Sequence, residues 1–542
     1  MPITDLLERN AAMKGTQVAI VELSPRSGSD RIVSWRDYET SESYPDQALR
    51  REMTWKFMDE QANRVANFCL SRGLGKGSRV ALLMKNALEW FPLYFGVMRS
   101  GALVVPLNFR NTKDETKKCL ELTRADAIFF GPGYAAQIES IHGELPWIRT
   151  FVSVAPERPD FAESYFEGVG KLSSDDPGVE LSDDEDAAIY FTSGTTGQPK
   201  AILHTHSSIL SVCVTEQTHH GQDEDDVFLC LAPLFHTGAM MHWLGSLVSC
   251  SRAVLLRDGK PLSILKAISL EGVTIAFMLV PWVQDILQDV ENGILDFGDF
   301  ELSQWRLMHI GAQPVPAELI ARWRAYFPDQ RYDTNYGLSE SMGPGCVHLG
   351  IENTHKVGAI GKPGVNWQAA IVSEDGHPVE RGAIGELTVK GPGVMERYLD
   401  DEESSSSALR DGWLFTGDMG YEDEDGFIYL VDRKKDVIIS GGENIFPIQI
   451  EDHIRALSKV KDVAVIGGYD RRLVEVPIAV VSVKEGLNAT EEELAAHCET
   501  LPKYKCPRRF ILADVPRNPT GKIEKPRLRA MYAGNPVFQN EI

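Results

Sequence analysis

Short apolar runs alternate with stretches in which apolar residues recur every three or four positions. Residues 80–84 (VALLM) lead into the helical pattern LEWFPLYFGVMRSG and then into the apolar run 102–107 (ALVVPL). That alternation predicts α/β layers with largely parallel sheets. From about 357 to 433 the texture changes: glycine interrupts each run, as in VGAIGKPG and GAIGELTVKGPG, and helical periods are missing. A small antiparallel β unit, barrel-like, is expected there. Beyond 433, DVAVIGG and PIAVVSV read as strands, and Thr490 with Glu493 forms a capping box opening a helix with Leu494, Cys498 and Leu501 on one face. The expected fold is therefore a large N-terminal body of layered α/β sheets, residues 1–433 with the β unit at about 357–433, followed by a small α+β domain at 434–542. Residues 24–52 are polar and turn-rich and are expected to form a surface loop, and the acidic patches at 182–186, 223–226 and 402–407 a solvated surface.

Composition removes several function classes. The 542 residues carry 55 Lys and Arg against 78 Asp and Glu, a net charge of −23, which repels nucleic acid and anionic membranes. The balance is uneven, −25 before residue 434 and +2 after it, so the charge changes where the second domain is expected to begin. The start of the chain lacks the basic and apolar segments of a signal peptide, and no apolar run approaches the ~20 residues of a spanning helix. A soluble, cytoplasmic protein is expected. Eight cysteines are dispersed without a Cys-x-x-Cys pair, which points to buried hydrophobes rather than disulfides or zinc.

The sharpest local signal is Thr192-Ser193-Gly194-Thr195-Thr196-Gly197-Gln198-Pro199-Lys200, directly after the strand-like AAIYF. Its glycines let backbone approach an anion, hydroxyl and N–H groups donate to it, and Lys200 adds charge. The spacing is not that of a Walker A loop. Gly73-Leu74-Gly75-Lys76-Gly77 reads as a plain turn between a helix and a strand.

Five further segments follow in order: HIGAQP (309–314), NYGLSES (335–341), GWLFTGD (412–418), DRKKDVIISGGENIFP (432–447) and PRNPTGKIEK (516–525). Together with 192–200 they resemble the adenylate-forming superfamily of acyl-CoA synthetases, luciferases and peptide-synthetase adenylation domains, over about residues 54–530. The resemblance implies a two-step reaction: a carboxylate attacks the α-phosphate of ATP, releasing pyrophosphate and leaving acyl-AMP, and a thiol then displaces AMP. Such a reaction needs charge neutralisation and positioning more than covalent help.

By the same resemblance, residues 192–200 embrace the β- and γ-phosphates, and Glu340 with Thr192 holds Mg²⁺, to which both offer hard oxygen. In Asn335-Tyr336-Gly337-Leu338-Ser339, Tyr336 stacks on adenine, and Ser339 keeps a hydroxyl where the family more often has threonine. Gly311-Ala312-Gln313 lines the adenine and the acyl carbonyl. Asp418 accepts both ribose hydroxyls, and Arg433 makes a second ribose or phosphate contact. Lys522, cationic with a reference pKa near ~10.4, bridges the attacking carboxylate and the α-phosphate. Lys434 is the hinge about which the C-terminal domain swings, with Lys435 and Asp436 repacking beside it. Ser440-Gly441-Gly442-Glu443 is thereby brought to the CoA channel.

His236 resembles the position at the floor of the acyl pocket, with Met240, Met241 and Trp243 around it and Trp282 where relatives often carry threonine. Fatty and aromatic acids stay equally open. The leading reading is an acyl-CoA synthetase using ATP, Mg²⁺ and CoA, with catalytic roles for Lys522, His236 and Glu340. Loading of a carrier protein comes second, and a luciferase-like oxygenase or a silent ATP-binding relative third. The expected partners are a small carboxylic acid, ATP and CoA, with no nucleic acid and no membrane insertion; a homodimer stays open.

Overall fold

A computed structural model describes residues 1–25, 40–44, 48–155, 158–193, 199–312, 315–440, 443–470, 472–517 and 523–533. The chain divides into two compact units, residues 1–369 with 389–414, and residues 370–388 with 415–542. The division passes through the strands Gly385–Lys390 and Trp413–Glu422, so the β unit expected at 357–433 is shared between the two.

The first unit holds two eight-stranded sheets. One runs Arg331–Asp333, Leu307–Gly311, Ile275–Leu279, Val227–Cys230, Arg252–Leu256, Val18–Pro25, Ala48–Thr54, Thr40–Tyr44. Its pairings are parallel up to Val18–Pro25 and antiparallel beyond. The central strands are almost continuously apolar and buried, Phe228, Leu229, Val254 and Leu255 among them, as sheets covered on both faces require. The other runs Arg397–Tyr398, Pro199–Thr205, Asp186–Ser193, Leu103–Pro106, Arg79–Leu83, Ala127–Phe130, Thr150–Ser153, Glu163–Ser164. Around it Leu83, Val105, Ile128, Phe130 and Ile189 share one core. A three-stranded antiparallel sheet, Asn335–Leu338, Gly343–His348 and Lys362–Pro363, carries the NYGLSES segment.

The expectation of a loop over 24–52 is corrected in part. Thr40–Tyr44 and Ala48–Thr54 are strands; residues 26–39 and 45–47 lie outside the described ones. The buried face of the second strand carries an ionic group beside buried Met53: Arg51 Nη1 is 2.7 Å from Glu89 Oε1, its Nη2 pairs with Glu22, and all three residues are buried. The apolar alternation is therefore interrupted at Arg51. Two acidic patches are also more structured than expected. Asp226 is buried and paired with Arg306 (2.6 Å), and Glu402–Ala408 is a helix whose N-terminal turn Asp401 caps through the Ser404 N–H.

In the second unit, Ile428–Arg433 pairs with Trp413–Glu422. A separate sheet runs Glu443–Ile445, Ile438–Ser440, Val474–Val483, Val460–Asp470, with Arg509–Leu512 parallel to Val474–Val483. Ile438, Ile450, Val463, Val465, Leu494 and Cys498 form its core. The capping box of Thr490 and Glu493 is present, and Leu494 and Cys498 are buried as the helical period requires, with Leu501 packed beside them. Of the cysteines, seven are buried and Cys506 is half-buried. Among the described residues no helix is long and apolar enough to cross a membrane.

Candidate active site

Asp186–Ser193 and Pro199–Thr205 form an antiparallel hairpin in which Thr192 lies opposite Lys200 and Ser193 opposite Pro199. The tip, Gly194 to Gln198, lies outside the described residues, as does the side chain of Ser193. Register thus puts the first hydroxyl and the lysine of the 192–200 segment at the mouth of one loop.

Lys200 reaches into a set of side chains from much later in the chain. Its Nζ donates to Ser404 Oγ (2.6 Å), stands 4.7 Å from the ring centroid of Tyr398, and is 3.9 Å from Asp401 Oδ2. The Tyr398 hydroxyl donates to Glu340 Oε1 (2.9 Å). Burial, reinforced by the Glu340 charge, pushes that hydroxyl well above its ordinary pKa, so it stays a donor. The strand Arg397–Tyr398 pairs with the hairpin edge, Tyr398 opposite Ile202, which sets the ring beside Lys200.

Glu340 sits in the tight turn Ser339–Ser341, alongside the strand Asp186–Ser193. Its backbone carbonyl accepts from the Met395 N–H (2.7 Å), and Ser341 Oγ accepts from the Leu338 N–H (2.9 Å). His204 supports the turn from below, Nε2 donating to the Ser339 carbonyl (2.8 Å). Burial lowers the His204 pKa to about 4, so the ring is neutral near pH 7.

Tyr336 is buried, and Asn335 Nδ2 donates to Glu216 Oε1 (2.6 Å). A Cβ added at Gly311 would lie 3.9 Å from Asn335 Oδ1, so the GAQ segment begins beside the NYG segment. Ala312 follows with φ +65°, and Gln313 lies outside the described residues.

His236 precedes the helix Thr237–Ser249, its ring 4.2 Å from that of Phe235. Gly343, at φ +98°, comes so close to this helix start that a Cβ would sit 2.9 Å from the Gly238 nitrogen. The Glu340 turn and the His236 corner are therefore neighbours. Met240 is buried, and the Met241 side chain lies outside the described residues. Trp243 is packed into the core, 4.4 Å from Phe91 and 5.9 Å from Phe95. Trp282 is half-buried at the start of the helix Val280–Glu291, and a Cβ on Gly259 would come within 3.1 Å of its Nε1.

In the second unit, strand register sets Asp418 opposite Arg433, and Arg433 Nε meets Asp418 Oδ1 at 3.0 Å. Thr416 Oγ1 accepts from the Asp418 N–H (3.1 Å) and donates to the Leu387 carbonyl (2.6 Å). Glu386 accepts from the Gly417 N–H and from Lys434 Nζ, each at 3.0 Å. Lys434 opens the turn Lys434–Asp436, and Asp436 accepts from Arg529 (2.6 Å). Burial lowers the Lys435 pKa from its ordinary value. Ser440 is buried and pairs with exposed Glu443. Gly441, Gly442 and Lys522 lie outside the described residues.

Reading the sequence missed Tyr398, Asp401, Ser404 and His204. No local signal marks them; the register of Arg397–Tyr398 against the hairpin brings in Tyr398 with the turn after it, and His204 comes in through its bond to Ser339.

Residues 34–399 match the AMP-binding enzyme family, and 449–522 match the AMP-binding enzyme C-terminal domain. The chain belongs to the AMP-binding enzyme family. This AMP-binding enzyme is 32% identical over 497 residues to the long-chain-fatty-acid–CoA ligase FadD13 of Mycobacterium tuberculosis, covering 91% of this chain and 95% of that one. It is 30% identical over 509 residues to the indoleacetate–CoA ligase of Aromatoleum aromaticum, with 93% and 97% covered. Its fold matches the solved structure of O-succinylbenzoate coenzyme A synthetase (MenE) from Bacillus subtilis in complex with ATP and magnesium ion. There the TM-score is 0.81 at 25% identity, over 98% of this chain and 99% of that one.

Proposed function

We propose that this AMP-binding enzyme is an acyl-CoA ligase in which Lys200, Tyr398 and Glu340 form one prearranged wall of the adenylation site. The enzyme activates a carboxylic acid with ATP to acyl-AMP and pyrophosphate, and transfers the acyl group to CoA with release of AMP. The observation that carries the reading is the joined set Lys200, Tyr398 and Glu340, drawn from three distant segments.

Attack of a carboxylate on phosphorus gathers negative charge, and fixed cations and donors lower its barrier without reorganising. Lys200 and the 192–200 hydroxyls hold the β- and γ-phosphates. Lys522 draws the acid carboxylate against the α-phosphate. Tyr336, Gly311, Ala312 and Gln313 receive the adenine, Asp418 and Arg433 the ribose, and Ser339 the α-phosphate. Glu340 offers a second carboxylate oxygen, for which no partner is seen among the described residues, and with Thr192 would hold Mg²⁺, whose charge offsets that of the phosphates. The acid carries an apolar body, aliphatic or aromatic, received beside His236, Met240 and Met241, with Trp243 bracing them and Trp282 limiting length. For the second step the C-terminal residues turn about Lys434, withdrawing Lys522 and presenting Ser440-Gly441-Gly442-Glu443 to the pantetheine arm.

Exchange of labelled pyrophosphate into ATP, measured over fatty and aryl acids with Mg²⁺ and then with CoA, tests the whole reading. Lys522→Ala is expected to lose acyl-AMP formation by at least about 100-fold while still converting supplied acyl-AMP and CoA to thioester. Equal loss of both half-reactions would remove Lys522 from the first step, and no exchange with any acid would end the ligase reading.

A further inference from the structure

Behind Asn335 lies a group of side chains that the ligase reaction does not use. Glu216 and His220, one turn apart on the helix His206–His220, meet His309 from the strand Leu307–Gly311 and Asp333 from the strand Arg331–Asp333. These strands pair in parallel with His309 opposite Asp333. All four residues are buried: Glu216 and His220 at 1% exposure, His309 and Asp333 at 0%.

Their donor atoms converge. His220 Nε2 lies 2.7 Å from His309 Nδ1, 3.3 Å from Glu216 Oε2 and 3.8 Å from Asp333 Oδ2, and His309 Nδ1 lies 3.9 Å from Asp333 Oδ2. The ligand atoms of Glu216, His220 and His309 all fall within 4.8 Å of one another. Four ligands at ~2.0–2.1 Å around a tetrahedral zinc ion stand roughly 3.3 Å apart. The His220–Glu216 edge matches that spacing, a bound ion has to widen the short His220–His309 edge, and Asp333 Oδ2, 3.8 and 3.9 Å from the two histidine nitrogens, stands beside this group of three.

The carboxylates are supported from outside in the way metal ligands need. Glu216 turns Oε2 inward while Oε1 accepts from Asn335 (2.6 Å) and faces His348 Nε2 (3.2 Å). Asp333 turns Oδ2 inward, also 3.2 Å from His348 Nδ1, while Oδ1 accepts from the backbone N–H groups of Thr334 and Gly350, each at 2.9 Å. Two imidazole nitrogens with a carboxylate oxygen suit zinc rather than magnesium or calcium.

We propose that Glu216, His220 and His309 bind a structural divalent cation of the zinc class, with Asp333 beside the ion. The ion ties the helix His206–His220 to the strand that leads into Gly311. It takes no part in bond making. Its role is to brace the wall of the nucleotide site, through the Glu216 contact with Asn335.

The test needs no nucleotide, so its failure leaves the ligase reading standing. Wild-type protein is produced with zinc in the medium, dialysed against zinc and then freed of loose metal on a chelating resin, and its metal content is measured. One zinc ion per chain is expected, and protein grown on cobalt should show the visible absorption of tetrahedral Co²⁺ with nitrogen and oxygen ligands. His348→Gln, which removes a support but no ligand, should weaken zinc binding by about 10- to 100-fold. Glu216→Gln with His309→Gln should abolish it, with far-UV circular dichroism checking the fold. Wild-type protein carrying no zinc above a buffer blank overturns the proposal whatever the variants do. Full zinc retained by the folded double variant overturns the placement.

Discussion

In the first unit Lys200 and Glu340 are linked through the ring and hydroxyl of Tyr398, whereas in the second Arg433 closes directly on Asp418 and Lys434 on Glu386. Tyr398 is 8% exposed, while the side chains of Arg433 and Lys434 are 44% and 48% exposed. A buried hydroxyl donating to a carboxylate contributes about 1.5–3 kcal/mol and fixes a geometry. A half-exposed ion pair contributes about 0–1 kcal/mol and exchanges partners readily. The first arrangement suits a site that must be ready before its substrate arrives. The second suits residues that change partners between two half-reactions.

The strongest challenge to this contrast is Tyr398→Phe, which deletes the hydroxyl and keeps the ring over Lys200. Acyl-AMP formation should fall by about 10- to 100-fold, with conversion of supplied acyl-AMP little changed. A variant slowed only in the thioester step would break the contrast. Next comes acidification, which probes the support beneath Ser339. The pKa of buried His204 is lowered from 6.5 to about 4, and that of His206 likewise. The unfolded chain takes up these protons first, so stability is complete above pH 6.5, declines as pH falls, and levels out below about 4. Each ring accounts for up to about 3 kcal/mol. Urea midpoints across that range should show the decline, and His204→Gln should make it shallower while the His206 share remains. Unchanged midpoints would mean the pocket admits the charged ring.

The smallest effect is expected from Glu386→Gln, which weakens the hold on Lys434 and keeps an oxygen for the Gly417 N–H. Thioester formation should change by no more than about fivefold, with adenylation unaltered. A larger loss would show that the Lys434 pair is a fixed support.

Much of the architecture was readable because it follows from short-range rules. Alternating apolar runs marked the parallel strands, and the box at Thr490 marked its helix. The 192–200 segment could be placed at a strand end because AAIYF precedes it. The strand Ala48–Thr54 could not be read, since Arg51 fills a buried position that an apolar side chain normally takes. Tyr398 was equally hidden. Its value to Glu340, 58 positions away, arises from strand register, and no spacing along the chain encodes it. The histidine and carboxylate group around Glu216 escaped notice for the same reason, its members coming from three elements with no motif between them.

Gly343 sets a limit on remodelling this enzyme for other acids. With backbone pressed on Gly238 and a left-handed φ, it leaves no clearance for a side chain. A designer who makes room near His236 by shifting the start of its helix would drag the Glu340 turn along, trading breadth of acid for speed of activation. Changes confined to side chains on the far side of that helix would escape the trade.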